Sequence, residues 1–128
     1  MSFPDVEKTL ILALPDLLEH PDGGTIGAGL TYGPGEQADY DAFVRVHTVA
    51  DPRGTVSRTA TVDIEAFAPS RAVGYDLGDQ VARILPSTRR LGGVTLDDVA
   101  VSGPTEVPWD NAETTRRFLV TARITTRR

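Results

Sequence analysis

The chain contains no cysteine, which excludes disulfides, thiolate nucleophiles and cysteine-based zinc sites. Histidine is nearly as scarce. His20 and His47 are the only two, one in a predicted loop and one on a predicted strand, and neither has a carboxylate at the H-E-x-x-H spacing of a helical metal site. No apolar run approaches the roughly 20 residues that a membrane helix needs. The opening Met1-Ser2-Phe3-Pro4-Asp5 lacks a basic region followed by a short apolar core, which argues against a secretory signal. Positive charge is also in deficit, with 13 Lys and Arg against 18 Asp and Glu. The basic residues are scattered, and Arg89-Arg90, Arg116-Arg117 and Arg127-Arg128 are pairs, not a patch interleaved with aromatics. A net charge of −5 disfavours sequence-independent grip on the outside of DNA. It does not prevent DNA from moving past a non-adhesive surface.

Familiar catalytic signatures are missing as well. Gly24-Thr25-Ile26-Gly27-Ala28-Gly29 lacks the Lys-Ser/Thr ending of a phosphate loop, and Tyr32 stands where a dinucleotide pattern needs its third glycine. Ser57 and Ser102 have no G-x-S-x-G elbow. Asp63 and Glu65, two apart on one predicted strand face, stand ~7 Å apart. That spacing suits a glycosidase pair, but a solvated strand face produces it equally, and no catalytic residue, metal or cofactor is expected.

What the sequence does contain is patterned. In Thr55–Ser70, Ala60, Val62, Ile64 and Ala66 alternate with Thr59, Thr61, Asp63, Glu65 and Phe67, the period-two mark of a strand with one dry and one wetter face. Pro69 and Ser70 end it and offer a helix cap. Val73, Leu77, Val81 and Ile84 then recur at helical spacing, predicting a helix over 70–85. Ahead of this unit, Val6, Leu10, Leu14, Leu17 and Leu18 predict a helix from Phe3 to Leu18, capped by Ser2 and kinked or ended near Leu14 by Pro15. Glu19 to Asp41, rich in glycine, predicts a weak strand at Thr25–Tyr32 and a mobile loop from Gly33 to Asp41. Ala42–Val49 predicts a strand forming a hairpin with Thr55–Phe67 through the Ala50–Gly54 turn. Gly92–Val101 predicts one short strand and Ser102–Asn111 a loop. Thr115–Thr126 closes the chain as a strand with Phe118, Val120, Ala122 and Ile124 inward. The sum is one domain over 1–128 of α+β class: a mostly antiparallel sheet of four to five strands with two main helices on one face. Trp109, beside Pro108, fits a loop staple or an interface anchor.

Three features together resemble the tail terminator (tail completion) proteins of long-tailed, siphovirus-type bacteriophages. They are the amphipathic start Val6–Leu18, the strand-helix unit Thr59–Phe67 into Arg71–Leu85, and Pro108-Trp109-Asp110 leading into Arg117–Ile124. The resemblance implies a non-enzymatic virion protein. Such proteins form a hexameric ring on the head-proximal end of the tail tube, stop its polymerisation and present the head-joining surface. Their partners are further copies of the chain, the major tail tube protein and a head-side neck protein. DNA passes through the ring without specific binding. A head-side neck protein docking on the portal is the alternative. On the ring reading, Asp63 and Glu65, or Asp97 and Asp98, are candidates to line the lumen. Arg58, Arg117, Arg123 and Trp109 are candidates for subunit contacts.

Overall fold

The computed structural model describes residues 3–51, 57–109 and 115–127. Ser2, most of the predicted Ala50–Gly54 turn, and Asp110–Asn111 lie outside these residues. The chain runs α1 (Val6–Leu17), β1 (Ile26–Gly29), α2 (Pro34–Asp39), β2 (Ala42–Ala50), β3 (Ser57–Ala68), α3 (Arg71–Ile84), a short 3-10 turn (Leu85–Ser87), β4 (Arg90–Leu91), β5 (Val94–Val107) and β6 (Arg116–Arg127). The α+β class is as expected. The sheet has six strands in the order β1-β2-β3-β6-β5-β4. It is mixed, because β1 runs parallel to β2 while the other pairs are antiparallel. No described helix is long and apolar enough to cross a membrane.

The predicted alternation holds at the centre. Ala60, Val62, Ile64 and Ala66 of β3 and Phe118, Val120, Ala122 and Ile124 of β6 are all buried, and their strands pair directly, Ile64 opposite Val120 and Val62 opposite Ala122. Helix α3 closes this face with Val73, Leu77 and Val81 buried and Ile84 partly so. Ser70 caps it, its hydroxyl accepting the Val73 N–H at 3.2 Å. The helix lies close because two of its inward residues are glycines. A Cβ on Gly74 would stand 2.7 Å from the Phe118 ring, and one on Gly78 2.7 Å from Cβ of Pro104. Helix α1 covers β1 and β2 with Val6, Leu10 and Leu14, followed by Leu18, all in the same core.

Several boundaries differ from the sequence expectation. Helix α1 is capped by Asp5, which accepts the Lys8 N–H at 3.0 Å. Pro15 does not end the helix near Leu14. It sits in the last turn, where the helix runs only to Leu17, so its missing donor costs one bond near an end that frays anyway. The predicted Gly33–Asp41 loop contains α2, whose Gln37 amide donates to the buried Thr115 hydroxyl at 3.2 Å. The predicted Ser102–Asn111 loop is strand to Val107. Pro104 is accommodated where β5 shifts register between Ser102 and Thr105, at a cis Gly103-Pro104 bond with Gly103 at φ +109°. A proline is tolerated at a bulge on the margin of a sheet, where no ladder bond is lost.

Truncating Ile64 or Leu77 to Ala should cost about 2–5 kcal/mol, because both are fully enclosed. Gly78→Val should also destabilise, by about 1–3 kcal/mol, through overpacking against Pro104. Urea unfolding of the three variants checks both.

Candidate functional site

The sheet has one face under α1 and α3 and one that neither covers, α2 lying only against its end through Gln37. This second face divides into two regions. At one end it is covered. Tyr32, just beyond β1, stacks on Phe67 with ring centres 4.2 Å apart. Trp109 meets Phe67 edge-on at 4.9 Å. The guanidinium of Arg45 stands 5.3 Å from the Phe67 ring and that of Arg117 5.3 Å from Trp109. Between the two arginines lies Glu65, which accepts from Arg45 Nε at 2.8 Å and meets Arg117 Nη1 at 3.0 Å. The Glu65 side chain is only 11% exposed.

This arrangement corrects the reading of Glu65 and Phe67 as wet. Both have the outward parity that alternation assigns, yet both are buried, Phe67 under Tyr32 and Trp109 and Glu65 between Arg45 and Arg117. Glu65 is therefore not a lumen-lining carboxylate, and Asp63–Glu65 is not a matched acid–base pair. Arg117 is engaged inside its own chain and is not free to pair with a neighbour. Trp109 serves as the cover of this cluster, the loop-staple role. Arg58 is likewise engaged: its Nε and Nη2 donate to the Asp51 carboxylate, and its guanidinium lies 5.7 Å from the Phe3 ring.

The rest of the helix-free face is polar and open. Thr59 and Thr125 share a hydrogen bond at 2.9 Å, and the Thr121 hydroxyl donates to Asp63 at 2.9 Å. Thr61 lies between them, and His47 and Arg123 are exposed beside them. Arg123 has no partner among the described residues, so of the four proposed interface residues it alone is an unengaged charge. Asp97 and Asp98 are exposed on β5, where the register shifts between Leu96 and Asp98. Asp97 accepts from Arg127 Nε at 2.7 Å. Asp98 lies opposite Thr125, and Asp63 opposite Thr121 on the far side of β6. The structure therefore does not gather the acidic candidates into one site.

A cleft of about 510 Å³ opens between α2, the segments flanking β1 and the start of α3, lined among others by His20, Tyr32, Tyr40, Asp41 and Ser70. Three of its polar groups are already committed. His20 Nδ1 accepts the Asp22 N–H, Ser70 caps α3, and Asp41 accepts the Thr25 N–H at 2.8 Å and its hydroxyl at 3.1 Å. Among the described residues no group of three or more His, Asp and Glu is placed to hold a metal ion. No known family model matches the chain, and no curated protein matches it.

Two carboxylates titrate low. The Thr25 N–H, and then its hydroxyl, hold Asp41 below the usual carboxylate range. The hydrogen bond from Arg116 does the same for Glu106. A depressed acid stabilises the fold above its unfolded pKa, and that contribution is lost as pH falls through the lower folded value. Stability should therefore decline below about pH 4. Asp41→Asn, which keeps an acceptor but cannot titrate, should lose less stability between neutral and acid pH than the parent, read as the shift in urea midpoint. Glu65→Gln should cost about 1–3 kcal/mol at neutral pH by leaving two arginines without a carboxylate.

Proposed function

We propose that this protein is a structural ring subunit of the tail-terminator kind, closing the head-proximal end of a phage tail tube. The observation that carries this reading is the open part of the helix-free sheet face. It is rigidly mounted on β3 and β6, and it is rich in threonine hydroxyls. Its charges nearly balance: Asp63 and Asp98 stand against Arg123, and Asp97 is neutralised by Arg127. A surface that DNA slides past must not collect phosphates, since each neutralised phosphate releases counterions and adds affinity. A hydroxyl-rich face without excess positive charge meets that requirement. The lumen residues on this reading are Asp63, Asp98 and the threonines around them, without Glu65. The α+β architecture and the sequence resemblance support the same assignment, with no cofactor and with tube protein and head-side neck protein as neighbours.

The test uses tail tubes assembled from the tube protein of the same virus, with and without this protein. Electron microscopy should show a six-fold ring at one tube end and a bounded tube length. Tubes of unchanged length with bare ends would remove the assignment, and binding to DNA-filled heads instead would move the protein to the head-side neck.

A further inference from the structure

Charge is unevenly divided along the chain, and the fold makes that division spatial. Residues 1–51 carry nine Asp and Glu but only Lys8 and Arg45, whereas residues 52–128 carry nine Asp and Glu with eleven Arg. The two segments thus contribute −7 and +2 to the total of −5. With strand order β1-β2-β3-β6-β5-β4, the first segment forms one margin of the sheet and the second the other. Helix α1 spans between them, touching both β1 and β4. Gly92, beside β4, approaches Thr9 near the start of α1, while Asp22 follows the helix's far end.

The charges at the two margins are unspent. Asp22, Glu36 and Asp39 flank β1 and meet no Lys or Arg among the described residues. At the opposite margin Arg89 donates to the Pro86 carbonyl at 3.3 Å, and Arg90 to the Thr95 hydroxyl at 3.1 Å and the Gly93 carbonyl at 3.2 Å. All are neutral acceptors. The backbone edges themselves are poor ladder partners. Strand β1 has four residues, two of them glycine, and β5 is interrupted by two register shifts and Pro104. Such features blunt strand-to-strand addition, which leaves contact to the charged side chains.

We propose that successive copies of this chain join head to tail, the acidic margin at β1 and α2 of one copy meeting the Arg89–Arg90 margin of the next. This rests on the ring reading and names the surfaces that would close the ring. Opposite margins on one chain fit each other only in a heterologous contact. A two-fold contact of either margin with itself would set like charges together.

The test pairs two double variants, Glu36→Arg/Asp39→Arg and Arg89→Glu/Arg90→Glu, all at side chains outside the core. Association is read by sedimentation at high protein concentration and low salt, and capping is read by imaging on tail tubes. Wild type should associate, and do so less as salt rises. Each variant alone should lose at least tenfold in association. An equimolar mixture should regain it, because the reversed margin of each variant then faces the reversed margin of the other, again of opposite sign, and intact margins face intact ones. Variants that associate like wild type, a mixture that stays dissociated, or a wild type that remains monomeric would overturn the proposal. Unimpaired variant rings on tube ends would overturn the head-to-tail contact while leaving the ring standing. Salt-dependent, charge-swappable association without capping would do the reverse.

Discussion

The β3–β6 ladder is the constraint on which the rest of the structure depends. Its twelve consecutive antiparallel pairs run from Ser57–Arg127 to Ala68–Arg116 without a bulge. A slip of one residue would turn every side chain of one strand to the other face. The ladder therefore decides in one step which residues meet α3 and which form the helix-free face. The neighbouring pairs are less regular. Strand β2 shifts near Ala50 and β5 shifts twice, so irregularity is confined to the flanks while the centre stays fixed. That is where a protein that presents a shaped surface can bend without losing its core.

The β2–β3 ladder sets Glu65 beside Arg45, its partner on β2, and the β3–β6 ladder brings Arg117 within its reach. Removing a carboxylate from water is costly unless its lone pairs are filled. Two guanidiniums fill them here, and the aromatic faces of Phe67 and Trp109 take up the remaining planar surface of the cations. The cluster thus converts a strand position with outward parity into a second, smaller buried region on the far side of the sheet. It ties the residues after β1 and β5 to β3, two elements that share no ladder with each other.

What was legible in the sequence follows this hierarchy. The faces of β3 and β6 and the inward stripe of α3 could be read because each meets one apolar surface with a regular period. The cover over Glu65 and Phe67 could not, since alternation says which side a residue takes and nothing about what folds onto that side. The full length of β5 is hidden in the sequence because Pro104 looks like a breaker, and only the sheet order reveals that it stands at a bulge near the margin. Helix α2 left no trace because none of its residues is buried, so it has no apolar face to generate a period. Of the candidate site residues, Asp63, Asp97, Asp98 and Arg123 lie exposed or half-exposed, whereas Glu65 and Arg117 have partners distant in sequence and Arg58 pairs with Asp51 seven residues away. Pairing choices of that kind are set by the fold and carry no local signal.

The open face owes its character to hydrogen bonds already made within it. A threonine hydroxyl facing water can donate to a phosphate oxygen, and a field of such donors could hold DNA even without cations. Here the Thr121 proton is directed at Asp63, and Thr59 and Thr125 engage each other. Part of the donor set is thus committed within the sheet, and the carboxylate that accepts from Thr121 adds repulsion toward a phosphate at close range. The result is a wetted surface on which Arg123 and Asp98 are charges without an ion-pair partner among the described residues, while further unpaired charges lie at the two margins of the sheet. On the proposed ring reading, adhesion and passage fall to different parts of one small domain, with the β3–β6 ladder holding them apart.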